Sequence, residues 1–371
     1  MTRPESFHDR IGIDIIDVTR DNFDEEFERM MDIMDDYKYV TIDTEFPGIV
    51  LEPVEQLISV ATWNYMQMRA NVNALKIIQL GITFTNDVLP GENAAASRAP
   101  CWQFNFEFDL SKDTYACDAI ELLKSAGLDF EKHRTKGIRP EEFGEKVIPS
   151  GLVLSDDVRW ISFHGLYDFG YLLKVLTSSP LPDDGSGFFD LLDTYFPQRC
   201  DIKYLMREEF RGGLACLGTQ LGLSRIGAAH QGGSDSILTA QVFSQLSPSM
   251  KERAFDKTHH DCGGLFGLSN DERHAYHGFG GRSRDRSTTA SGSPREHSTG
   301  SLTPTLSYDY NSHAAYASAE ALMDANSAAH GVESDTALPP IPKGPAPAPP
   351  STVPSVPMPQ RPPPPPPGAG S

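Results

Sequence analysis

From Asp21 to Met34 the apolar residues Phe23, Phe27, Met30, Met31 and Met34 recur at helical spacing, with acids crowding the first turn. This pattern predicts a helix whose Met-rich face packs into a core rather than binding a ligand. A short lead-in precedes it, with a strand over Ile11–Val18. Tyr39–Phe46 then reads as a buried strand, closed by Pro47-Gly48. A helix over Asn64–Leu75 and a strand over Ile77–Phe84 follow. Trp102–Phe108 alternates with period two, which predicts a half-buried strand. Between these two strands, Asn86–Pro100 carries loop residues. Further helices are expected near 115–126, 140–148, 168–177, 187–195, 213–222 and 234–246, with one short strand at Trp160–Phe163. Strands first, then mostly helices, indicate an α/β domain with a central sheet.

Past about residue 270 the pattern stops. Residues 282–300 are rich in Ser, Arg, Thr and Gly, and residues 339–367 hold 16 of the 29 prolines. Such a segment has too little apolar surface to offset its ordering entropy, so a disordered tail is expected over 270–371. It reads first as a solvated spacer. The other reading is a polyproline-II ligand for SH3-, WW- or profilin-like modules.

Charge changes the picture. The chain carries a formal −19; the stretch from Asp271 onward has 7 basic and 9 acidic residues, so −17 lies in residues 1–270. An acidic domain does not hold nucleic acid through bulk electrostatics. If it acts on RNA it needs metal ions, a local basic groove or a partner. Five cysteines without CxxC spacing argue against a disulfide framework and a structural zinc site, and fit a reducing compartment. No run of 18 apolar residues predicts a membrane span, and the first ten residues lack the apolar segment of a secretory signal.

The candidate chemistry lies in carboxylates. Asp43 and Glu45 are two apart on a predicted strand, so both project from one face. Two like charges at a partly dry site are tolerated only if protonated, paired or bound to cations, and hard oxygen ligands suit Mg²⁺ or Mn²⁺. Both acids reaching water at a strand end is an equal alternative for this pair alone. Asp168 follows a second strand and sits near a helix start, where an acid also serves the helix itself; His164 beside it reads as a hydrogen-bonded structural histidine. Asp235 opens an apolar helix, and His230 lies five residues earlier across Gly232-Gly233. A glycine hinge there would let imidazole and carboxylate face one centre, with His230 as general base. A helix cap by Ser234 or Asp235 is the plainer alternative.

Together these acids follow the order of the DEDD exonucleases in their histidine-containing form. Four carboxylates of this kind hold two divalent ions ~4 Å apart. The surrounding motifs go further. Asp43-Thr-Glu-Phe-Pro-Gly48, Leu75-Lys-Ile-Ile-Gln-Leu-Gly81, Trp102-Gln-Phe-Asn-Phe106, Tyr167-Asp-Phe-Gly-Tyr-Leu172, Asp201-Ile-Lys-Tyr-Leu-Met206 and Arg225-Ile-Gly-Ala-Ala-His-Gln-Gly-Gly-Ser-Asp-Ser236 resemble the Caf/Pop-type catalytic subunits of the Ccr–Not deadenylase complex. The resemblance spans roughly residues 12–268. It implies a ribonuclease H-like fold, a central mixed sheet surrounded by helices, and 3′→5′ removal of poly(A) from mRNA with release of 5′-AMP. It implies Asp43, Glu45, Asp168 and Asp235 as ligands of two Mg²⁺ or Mn²⁺ ions and His230 as base. It also implies a Not-type scaffold, a leucine-rich-repeat deadenylase and Tob/BTG-like adaptors as partners, in cytoplasm and nucleus. The chain departs from the usual pattern at Gly165-Leu166 and at Gly232, neither of them a ligand. A platform protein of the same fold is the competing class, against which the intact acids argue. A DNA-proofreading exonuclease is a third, against which the surrounding motifs argue.

Overall fold

The computed structural model describes residues 15–54, 58–86 and 100–268. The expected tail, the beginning of the first strand and most of the loop before Pro100 lie outside the described residues.

Six strands form one sheet: β1 (Ile15–Val18), β2 (Tyr39–Glu45), β3 (Gln79–Thr85), β4 (Cys101–Asn105), β5 (Arg159–Ser162) and β6 (Arg199–Asp201), in the order β1-β4-β3-β2-β5-β6. The β2–β3–β4 meander is antiparallel, with Asp43 opposite Gly81 and Gly81 opposite Gln103. β5 and β6 add in parallel beyond β2, and β1 adds in parallel to β4. The result is the expected central mixed sheet with helices around it.

One sheet face carries α1 (Phe23–Met34), α2 (Val60–Ala74), α5 (Pro140–Val147), α6 (Leu166–Thr177) and α7 (Gly185–Tyr195). On α1, Phe23, Phe27 and Met30 are buried and Met31 and Met34 pack beside them, so the Met stripe is core. Two helices between these, α3 (Cys117–Ser125) and α4 (Phe130–Lys136), pack against Ile78 and Phe108. After β6 come α8 (Ile202–Leu205), α9 (Leu214–Gln220), α10 (Gly232–Gln245) and α11 (Pro248–Phe255).

Helix α10 covers the opposite sheet face and is buried at 11 of its positions, including Ser234, Asp235, Ser236 and Thr239. It sits very close to the strands, and glycines allow this. A Cβ on Gly81 would fall 1.9 Å from the Gly232 carbonyl oxygen, and one on Gly232 would fall 2.7 Å from the Gly81 nitrogen. Polar contacts lock the pair together. Thr41 Oγ1 donates to the Ser236 carbonyl (2.8 Å), and the Thr83 and Ser236 hydroxyls are 2.8 Å apart. Gly81→Ala is expected to cost roughly 3 kcal/mol, the upper end for overpacking. A denaturant midpoint equal to that of wild type would show that α10 rides higher on the sheet than described.

Two expectations are corrected here. β4 is buried at all five positions rather than half-buried. Its polar residues face α10 and β1, not solvent: Gln103 Oε1 accepts from Gly233 N–H (3.1 Å), and Asn105 Nδ2 donates to Asp17 Oδ1 (2.7 Å). Gly232 and Gly233 are not a hinge either. Both lie within the first turn of α10, and their role is close approach; the left-handed residue is His230, at φ +60°.

Candidate metal centre

β2 presents the first two acids. Asp43 and Glu45 point to one face, as strand alternation requires, and α10 delivers Asp235 to the same place. One carboxylate oxygen from each of Asp43, Glu45 and Asp235 lies within 4.8 Å of the other two. Asp43 and Glu45 are half-buried, while Asp168 and Asp235 are buried.

Asp168 is held slightly apart. It occupies the first turn of α6, and its Oδ1 accepts from both the Thr44 N–H (2.7 Å) and the Thr44 hydroxyl (2.5 Å). Thr44, the residue between the two strand acids, thus ties the third acid to the strand that carries the first two. Asp168 is not within the tight three-acid group, yet it contributes to raising the proton affinity of both Asp43 and Glu45.

Asp235 is gripped on both oxygens. His230 N–H donates to Oδ2 at 2.9 Å, and the Arg225 guanidinium contacts Oδ1. Neither Ser234 nor Asp235 caps the helix; Gln231 takes the cap position without a side-chain bond. His230 is half-buried, and its backbone rather than its imidazole makes the contact with Asp235.

The electrostatics follow from this crowding. Burial pushes Asp43 well above the usual carboxylate range, and Asp235, Asp168 and Glu45 push it further. Glu45 rises for the same reasons, from burial, Asp235 and Asp168. Arg225 opposes both shifts. Among the described residues, no hydrogen bond or ion pair reaches the Asp43 or Glu45 carboxylate. Clustered hard oxygens with unmet charge fit one or more divalent cations. A second group, His259, His260 and Asp261, differs because Asp261 already pairs with Arg207 at 2.9 Å.

Burial raises Asp168 to about 6 from 3.8, against the opposing Thr44 bonds. A raised carboxylate binds more protons folded than unfolded between these two values. Its contribution to stability is therefore fully present at low pH and is lost as pH rises through that window. Metal-free wild type, measured against Asp168→Asn by denaturant titration, is expected to lose relative stability from pH 4 to 6. A flat difference would rule out this assignment.

Asp201 went unrecognised as a positioning residue. It is buried at the end of β6 and accepts from five backbone N–H groups: His164 (2.8 Å), Gly165 (3.2 Å), Lys203 (3.0 Å), Tyr204 (3.4 Å) and Phe266 (2.9 Å). This holds the turn through His164, itself at φ +64°, that launches α6 and Asp168. Expected as structural, His164 fits that role, with its ring edge-on to Phe266 at 5.1 Å. The available signal was the Asp before a short helix, an N-cap arrangement.

A family model described as CAF1 family ribonuclease matches residues 18–142. A probable CCR4-associated factor 1 homolog of Arabidopsis thaliana is 42% identical, over 69% of this chain and 94% of its own. The chain belongs to the CAF1 ribonuclease family. Within it, the poly(A) ribonuclease pop2 of Schizosaccharomyces pombe is 43% identical over 65% of this chain and 70% of its own length. The solved structure of S. pombe Pop2p in an Mg²⁺- and Mn²⁺-bound form superposes with a TM-score of 0.61 at 40% identity, covering 68% of this chain and 99% of that one. A CAF1 co-crystallised with the yeast NOT1 MIF4G domain gives 0.52 at 30% identity, covering 70% and 96%.

Proposed function

We propose that this CAF1-family ribonuclease removes adenylates one at a time from the 3′ end of RNA, releasing 5′-AMP, in a reaction that requires divalent cations. The observation that carries it is the convergence of the Asp43, Glu45 and Asp235 carboxylates within 4.8 Å, with no described cation reaching the first two. The metal-bound Pop2p relative supports the same reading.

Asp43, Glu45, Asp168 and Asp235 would hold the ions, two in number. Bound Mg²⁺ or Mn²⁺ supplies a water of lowered pKa and stabilises charge on the leaving 3′ oxygen. The protein's own groups do the rest. Thr44 fixes the Asp168 carboxylate, and the His230 N–H fixes that of Asp235. The His230 imidazole takes the proton of the attacking water. Arg225 offsets part of the negative charge that a phosphodiester must approach.

The −17 on residues 1–270 opposes RNA binding at a distance. Recruitment by partners follows from it. A Not-type scaffold is supported by the CAF1 relative co-crystallised with NOT1. A leucine-rich-repeat deadenylase and Tob/BTG-like adaptors rest on the sequence resemblance alone.

The test uses a 5′-labelled RNA ending in oligo(A), incubated with Mg²⁺ or Mn²⁺ and resolved on a gel. A ladder shortening from the 3′ end is expected, abolished by EDTA and slowed where the tail is oligo(U). Absence of any metal-dependent ladder would favour a platform role.

A further inference from the structure

At the far end of the sheet from the acids lies a second concave site. A cavity of about 700 Å³ opens between the starts of β2 and β5 and residues of α11; its walls include Lys38, Tyr39, Arg159, Lys251 and Phe255. Parallel pairing sets Tyr39 beside Arg159, which brings their neighbours to one edge. With a strand rise of ~3.3 Å per residue, Tyr39 lies ~13 Å from Asp43, so the two sites are separate.

Three cations in one cavity are notable in a chain with 51 acids and 32 Lys and Arg. Arg159 is the most informative. Its guanidinium lies 5.9 Å from the centre of the Tyr39 ring and 5.3 Å from that of Phe255. It is half-buried, yet it makes no hydrogen bond or ion pair with any described residue. A guanidinium carries five N–H donors in a fork matched to phosphate and carboxylate, and it does not shed its charge. Lys38 Nζ stands 4.9 Å over the other contact of that stack, the Tyr39 ring. Lys251 Nζ donates to the Ser244 carbonyl at 3.1 Å and stands 5.2 Å over the Phe243 ring. The acids lining the cavity, Glu252 and Asp256, leave Arg159 without a partner; Asp256 Oδ1 instead accepts from the Thr258 N–H (2.8 Å) and hydroxyl (2.7 Å).

Leu246, Pro248 and the half-buried Phe255 give the cavity an apolar stretch of wall. Cations set beside apolar wall suit a ligand with a phosphate and a flat ring, and the volume falls in the range of small-ligand pockets. We propose that this cavity is a nucleoside-phosphate site, its phosphate on Arg159, Lys38 and Lys251 and its base against Phe255, Leu246 and Pro248. The assignment is independent of the reaction at the carboxylates.

Calorimetric titration of the full chain in EDTA, with AMP, inorganic phosphate and adenosine as probes, tests it. One AMP is expected to bind per chain. Phosphate should bind at least tenfold more weakly than AMP, and adenosine should give no measurable heat. Arg159→Met and Lys38→Glu should each weaken AMP at least tenfold, whereas Asp43→Ala should leave it unchanged. Lys38 is exposed, so its variant decides the matter if Arg159→Met does not fold. No AMP binding, binding indifferent to Lys38→Glu, binding lost in Asp43→Ala, or phosphate as tight as AMP would each overturn the proposal.

Discussion

Asp43→Asn is expected to abolish metal-dependent shortening of oligo(A) while making the metal-free protein more stable. The two effects share one cause. Asp43 is raised well above the ordinary carboxylate range by burial and by three neighbouring acids, so its ionised form opposes folding when no cation is present. Asn keeps the size and removes the charge. Each kcal/mol of relief moves the melting temperature by about 2–4 °C in a domain of this size. With metal the order should reverse. A ligand at about 100 times its dissociation constant stabilises the native state by ~2.7 kcal/mol, and wild type, with all its carboxylates, gains more than the variant. The loss of activity should be on the order of 10³-fold or greater, as for residues that act as a unit. Melting curves in EDTA and in Mg²⁺, beside the gel ladder, check both halves. A variant that melts lower than wild type in EDTA, or that still shortens the tail, would defeat the assignment of Asp43.

The parts of this site that the sequence disclosed are those that obey a local period. Asp43 and Glu45 are two apart on a strand, and α1 repeats its apolar residues at helical spacing. The parts it concealed are joined across long separations. Thr44 grips Asp168 over 124 positions, and Asp201 reaches Phe266 over 65. No local pattern encodes either bond. The polar residues of β4 misled for a related reason. Alternation of Gln103 and Asn105 with Trp102 and Phe104 normally marks a wet face, but here the amides find partners inside the protein. β6 is three residues long and α4 is seven, too short for periodicity to emerge. α11 was legible in principle, since Ser247 before Pro248 is a helix-start pair and its hydroxyl accepts from Met250 N–H at 3.3 Å.

The largest expected effect on stability is at Asp201, outside the carboxylate cluster. Asp201→Ala removes the acceptor of five backbone N–H groups in three separate segments, the turn at His164–Gly165, the start of α8 and the stretch at Phe266. An unmet buried donor costs roughly 1–3 kcal/mol. Water and local relaxation will satisfy some of the five, so a total of about 3–5 kcal/mol is expected, equivalent to about 6–20 °C in melting temperature. Asp201→Asn keeps one carbonyl oxygen and should lose less. Catalysis should fall further than stability explains, because the freed turn launches α6, and with it Asp168. The informative measurement is therefore activity at a temperature where the variant is still folded, read together with metal affinity. A destabilised Asp201→Asn that retains wild-type metal affinity and rate would show that the Thr44 bonds alone position Asp168. A joint loss of both would establish that Asp201, outside the carboxylate cluster, sets the geometry of Asp168 and through it of the proposed metal site.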